Sequence, residues 1–102
     1  MSENNDEQWL DCIVDSDYEI SNQYPYPIRD KRYKYIISEN EKFDGYNTYI
    51  QCFIHRKPYL KHRIIALQFI PNPNNYRYVI HINYNGKDNH IDNLQWSKTS
   101  RH

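Results

Sequence analysis

Eleven tyrosines set against a single alanine constrain how this chain can bury a core. Hydrophobic residues fill 38% of its 102 positions, and tyrosine supplies much of that share. A phenol ring packs well, but its hydroxyl must reach water or a partner. A core of this kind is expected to lean on aromatic rings and to be modest, as befits one domain of this length.

The net charge of zero conceals an asymmetry. Residues 1–22 hold seven acids and no lysine or arginine, whereas residues 23–102 hold all thirteen basic residues against six acids. A basic body is the expected footprint of a phosphate-backbone partner, because each neutralised phosphate releases counterions. Ordinary surface charge kept for solubility gives the same tally, and charge alone does not separate the two. Cys12 and Cys52 stand far apart without a CxxC pair, which excludes a cysteine-built zinc site and points to reduced thiols inside a cell. No apolar run approaches the ~18 residues of a membrane span, and the acidic start lacks the order of a signal peptide. The expectation is a protein that is not secreted, has no membrane partner, and resides in cytoplasm, nucleus or a virion.

Along the chain, residues 1–6 are polar and expected to be disordered. Residues 7–22 read as short strand pieces anchored by Trp9, Ile13, Tyr18 and Ile20. Pro25 and Pro27 predict a stiff, extended connector. Lys31 to Ile37 alternates charged with aromatic or aliphatic residues, the period of a half-exposed strand. That strand would either contact phosphate or be an edge protected by lysine. Glu39 to Gly45 reads as a turn, residues 46–54 as a strand and His55 to Pro58 as a basic hairpin turn. Leu60, Ile64 and Leu67, with Ile65 and Phe69 as a second ridge, have helical spacing, which Pro71-Asn72-Pro73 ends. His62 opens that helix and reads as structural; His90 reads as a solvent-side loop residue. The predicted class is α+β, a small single domain with N-terminal strands and one central helix.

The stretch from Val79 to Trp96 carries the most specific signal, in His81, Ile82, Asn85, Asn89, Asn93, Leu94 and Trp96. It resembles the core of the HNH homing endonucleases, DNA-cutting enzymes built on a ββα-metal motif. Two further stretches fit that family. His62 to Pro73 is similar to its His-Arg-Leu-Val-Ala helix and the Phe-Ile-Pro-Asn-Pro that follows. Tyr18-Glu19-Ile20-Ser21-Asn22 is similar to the module that often precedes it.

The resemblance implies a nuclease-associated module over residues 7–30 and an HNH-like domain over 31–102, with the ββα motif from about residue 76. It implies His81 as general base, Asn93 as the residue that pins the loop beside it, and His102 as a metal ligand. The cofactor would be Mg²⁺ or Mn²⁺, the partner double-stranded DNA and the reaction a single-strand nick. Arg29, Lys31, Arg32, Lys34, Arg56, Lys57 and Arg63 are the candidate DNA contacts. At the position before the base, where the family places a metal-binding side chain, stands Ile80, which offers no donor. The chain also ends at His102, where the α element would be one turn old, so the motif is expected to be truncated. The resemblance therefore implies cleavage weakened or lost. The alternative is a catalytically inactive HNH-derived binding or virion-associated structural protein. The further partners expected are a second copy of the chain, as a homo-oligomer, or a complementing polypeptide, which would complete the motif if this chain is one fragment of a split gene. The bias toward asparagine, isoleucine, tyrosine and lysine is what an A+T-rich genome writes, such as that of a large DNA virus.

Overall fold

The computed structural model describes residues 6–100. It is mixed α+β, with three small antiparallel sheets and one α-helix, as the sequence pattern predicts. The chain divides into two compact units between Ile37 and Ser38.

The first unit is a three-stranded meander of β1 (Trp9–Asp11), β2 (Tyr18–Ser21) and β3 (Ile28–Asp30). Its centre is aliphatic, with Ile20 and Ile28 fully buried and paired across β2 and β3. Cys12, Tyr18 and Tyr26 close around them. Each fully buried isoleucine contributes about 2 kcal/mol of transfer free energy. Ser21 is also fully buried; its hydroxyl donates to Glu7 at 2.6 Å and accepts from the Gln23 N–H.

Two expectations fail in this unit. The proline connector is folded rather than stretched: the Tyr26 N–H bonds back to the Gln23 carbonyl at 2.7 Å, with Tyr26 in the left-handed region. Residues 31–37 are not a strand either. The Asp30 carboxylate accepts from the Tyr33 N–H at 2.6 Å and its carbonyl accepts from Lys34, which turns the chain with Lys34 at φ 66°. Only a single bridge, Arg29 to Ile36, resumes the pairing. Local capping by an aspartate outweighs a period-2 pattern here.

In the second unit, β4 (Glu39–Phe43), β5 (Thr48–Ile54) and β6 (Lys57–Leu60) form an antiparallel sheet in that order. Residues 39–43 were expected as a turn. Every one of them is exposed, so no apolar alternation announces the strand, and backbone pairing with β5 alone defines it. The β5–β6 connection is the two-residue turn His55-Arg56, both with positive φ, the form whose twist suits a hairpin. Pro58 lies on β6, an edge strand, where a missing N–H is tolerated.

Helix α1 (Lys61–Phe69) follows β6 directly. Ile64, Ile65 and Ala66 are fully buried, and with Cys52, Ile54, Leu94 and Trp96 they make the core. Lys61 is buried against Glu39, which supplies the charge that a buried ammonium requires. Past the helix, the Trp96 indole donates to the Ile70 carbonyl at 3.0 Å. Isoleucine supplies five of the twelve buried hydrophobic residues among those described, and tyrosine two. Most tyrosines stay at least partly exposed, up to 96% at Tyr46. The last sheet is the pair β7 (Tyr78–His81) and β8 (Leu94–Ser97), with Val79 opposite Trp96 and His81 opposite Leu94. Among the described residues no helix follows β8.

Candidate active site

Strand β7 ends at His81, and the chain returns to β8 through a loop rich in asparagine. Side chains of this type replace backbone partners in tight turns. Asn83 accepts from the Asn85 N–H at 2.9 Å, and Asn85 from the Lys87 N–H at 3.0 Å. Tyr84 takes a positive φ of 64° between them. Asn93 closes the loop: its amide donates to the Asn83 side chain at 2.9 Å and to the Asp88 carbonyl at 2.8 Å, and its oxygen accepts from the Asn83 N–H at 3.0 Å. The Ile82 N–H adds a bond to the Asn93 carbonyl at 2.8 Å. Asn93 therefore holds the loop, and the side chain hydrogen-bonded to His81 is Asn89.

Nε2 of His81 lies 2.8 Å from Oδ1 of Asn89, and both residues are buried. With the amide oxygen accepting, His81 carries its proton on Nε2 and keeps a lone pair on Nδ1. Burial pulls the His81 pKa below the ordinary histidine value; the Asn89 bond and the Asp88 charge oppose that only in part. Asp88 itself is held low by hydrogen bonds from His90 and Asn83.

A second histidine stands beside the first. The rings of His62 and His81 are 4.6 Å apart at 60°, and Tyr49 packs on both, at 5.3 and 5.9 Å. His62 is 6% exposed, and its Nδ1 has no hydrogen-bond partner. An unmatched buried polar atom costs about 1–3 kcal/mol. Burial, followed by the His81 and Arg63 charges, lowers its pKa to about 3, so both imidazoles are neutral near pH 7. They line a pocket of about 90 Å³ together with Asn47, Tyr49, Ile80, Tyr84 and Ser100. The loop is docked on β5 there: Asn47 donates to the Tyr84 carbonyl at 3.0 Å, and a Cβ on Gly86 would meet the Thr48 carbonyl at 2.3 Å.

The sequence reading missed His62 and Asn89. For His62 a signal existed, since it precedes Ile65 and Ala66 by three and four residues and so shares their buried helix face. Asn89 had none beyond its place in the motif, because a loop contact eight residues away has no periodicity. His102 lies outside the described residues.

A hard divalent cation takes carboxylate and other oxygen ligands. Among the described residues no carboxylate lines the His81 pocket, and Ile80 offers no donor. The described residues around this pocket do not fit Mg²⁺ or Mn²⁺.

The candidate DNA contacts fall in both units. In the first, Arg29 pairs with Glu19 at 2.9 Å and stacks on Trp9 at 3.8 Å, Lys34 also reaches Glu19, and Lys31 pairs with Asp11 at 2.6 Å. Arg32 lies over the Tyr33 ring. In the second, Arg56 and Lys57 are exposed around the hairpin turn, and Arg63 donates to the Arg77 carbonyl at 2.9 Å.

A 35-residue stretch, 34% of this chain, is 54% identical to an uncharacterized HNH endonuclease of Acanthamoeba polyphaga mimivirus. The match spans 11% of that protein's length, which supports a relationship to the HNH family at most. No family model matches the chain, and no solved structure matches it. Among the described residues, no helix is long and apolar enough to cross a membrane.

Proposed function

We propose that this chain is an HNH-derived, DNA-binding module in which phosphodiester cleavage is weakened or lost. The observation that carries the reading is His81: a neutral, buried imidazole, with its tautomer set by Asn89, at the start of a loop closed by Asn93. Such an imidazole can take a proton from water on Nδ1 while Asn89 holds the Nε2 proton. Its lowered pKa keeps it unprotonated at pH 7 but also reduces its appetite for the proton, so it is a weak base. The family's divalent metal would supply charge stabilisation at the phosphate, and the described residues around His81 offer no carboxylate for it. The likeness to a mimivirus protein supports an origin in a large DNA virus.

Plasmid nicking in Mg²⁺ or Mn²⁺ tests this. The natural chain is expected to nick little or not at all. Ile80→Asp, which puts a carboxylate on the pocket wall, should raise metal-dependent nicking, and adding His81→Ala should abolish it. Robust nicking by the natural chain would show that Ile80 matters less than its chemistry suggests. Ile80 also favours the second reading, a catalytically inactive binding or virion-associated structural protein. That reading prevails if no form of the chain retains duplex DNA even at low salt.

A further inference from the structure

We propose that His62 and His81 form a site for a borderline divalent transition metal such as Zn²⁺, Co²⁺ or Ni²⁺. Their ring centres lie 4.6 Å apart. Two imidazoles that share one ion at metal–nitrogen distances of about 2.0–2.1 Å have their centres roughly 4.5–5.2 Å apart for ligand angles of about 90–110°. One ring comes from α1 and the other from β7, so regular elements set the spacing.

A second, independent observation points to a ligand. His62 is 94% buried by its 6% exposure, lines the pocket, and has an Nδ1 atom that no protein group satisfies. The third feature is the outer bond of His81. Metal-binding histidines donate their other ring N–H to a carbonyl or carboxylate, and Asn89 accepts in that way at 2.8 Å. Imidazole donors select borderline ions, whereas carboxylates and water select hard ones, and no carboxylate lines this pocket among the described residues. Burial keeps both rings neutral, the form that ligates. Asn47 and Ser100 on the wall leave polar surface for the ion's waters. An ion here occupies the lone pair that water activation would use. That last consequence rests on the proposed function; the binding itself does not.

The test is titration of the full chain with Co²⁺, read by its d–d absorption, and with Zn²⁺ by calorimetry. One equivalent is expected to bind, at least tenfold more weakly after either His62→Ala or His81→Ala. The exposed-histidine control His90→Gln should leave affinity unchanged, and millimolar Mg²⁺ should not compete. Should His62→Ala fail to fold by circular dichroism, ring resonances of the natural chain give the same answer, because Zn²⁺ must shift both His62 and His81. Absence of binding at millimolar Co²⁺, binding that survives loss of His62, or binding that disappears with His90 overturns the site. A chain that binds Co²⁺ through both histidines yet never nicks DNA supports the site and weakens only the catalytic reading.

Discussion

His62 owes its protonation state to burial, and that has a measurable consequence. Its folded pKa of about 3 lies well below the 6.5 it regains on unfolding. Between those values the unfolded chain binds a proton that the folded chain does not, so stability rises with pH there. The contribution is whole above about pH 6.5 and is lost as pH falls toward 3, at about 1.4 kcal/mol per pH unit. His81, shifted in the same direction by its own burial, adds to the loss. Thermal unfolding followed from pH 7 to pH 4 should therefore show a falling midpoint, with a shallower fall in His62→Phe. The His62 ring resonance should not titrate above pH 5; a midpoint near 6.5 would place that ring in water. At this scale the sequence was partly legible. His81 could be singled out from its motif, but its partner Asn89 and its neighbour His62 come together only through packing, which a linear pattern does not encode.

Among the elements, α1 and the strands with apolar anchors were readable, because Ile64, Ile65 and Ala66 or Tyr18 and Ile20 repeat at the spacing that burial imposes. β4 was not, since all five of its residues face solvent and its pairing with β5 is backbone work. The turn at residues 31–34 was hidden for the converse reason: a side-chain bond from Asp30 decides it against a strand-like pattern. The His81 loop depends on a close approach of the same kind, between Gly86 and β5. Gly86→Ala would drive a methyl group into the Thr48 carbonyl at 2.3 Å and the Tyr49 ring at 2.8 Å. One of them is backbone and cannot yield by changing rotamer. We expect a loss of about 1–3 kcal/mol in denaturant unfolding, with shifted Tyr49 and His81 resonances because the loop lifts from β5. A variant as stable as the natural chain, with both resonances in place, would refute that contact.

At the scale of the molecule, a net charge of zero divides along the boundary after Ile37. Residues 1–37 hold four basic against eight acidic residues, and residues 38–102 nine against five. In the first unit Arg29, Lys31 and Lys34 already meet acids of their own unit, and Glu19 is held below the usual carboxylate range by Lys34 and Arg29. Their positive charge is largely spent on Glu19 and Asp11. In the second unit Arg56 and Lys57 stand exposed around a hairpin turn, where the backbone presents them to solvent. Duplex DNA, if it is the partner, should then be held mainly through residues 38–102. Each lost phosphate contact lowers the slope of log affinity against log salt by about 0.9. Replacing both Arg56 and Lys57 by alanine should accordingly reduce that slope by about 2 and weaken binding alike on all sequences. Replacing Arg29 and Lys34 should leave the slope unchanged and lower the unfolding midpoint instead, because Trp9 and Glu19 lose their partners. The reverse pattern, a slope set by Arg29 and Lys34, would mean that DNA competes successfully with Glu19 and that the first unit makes the contact.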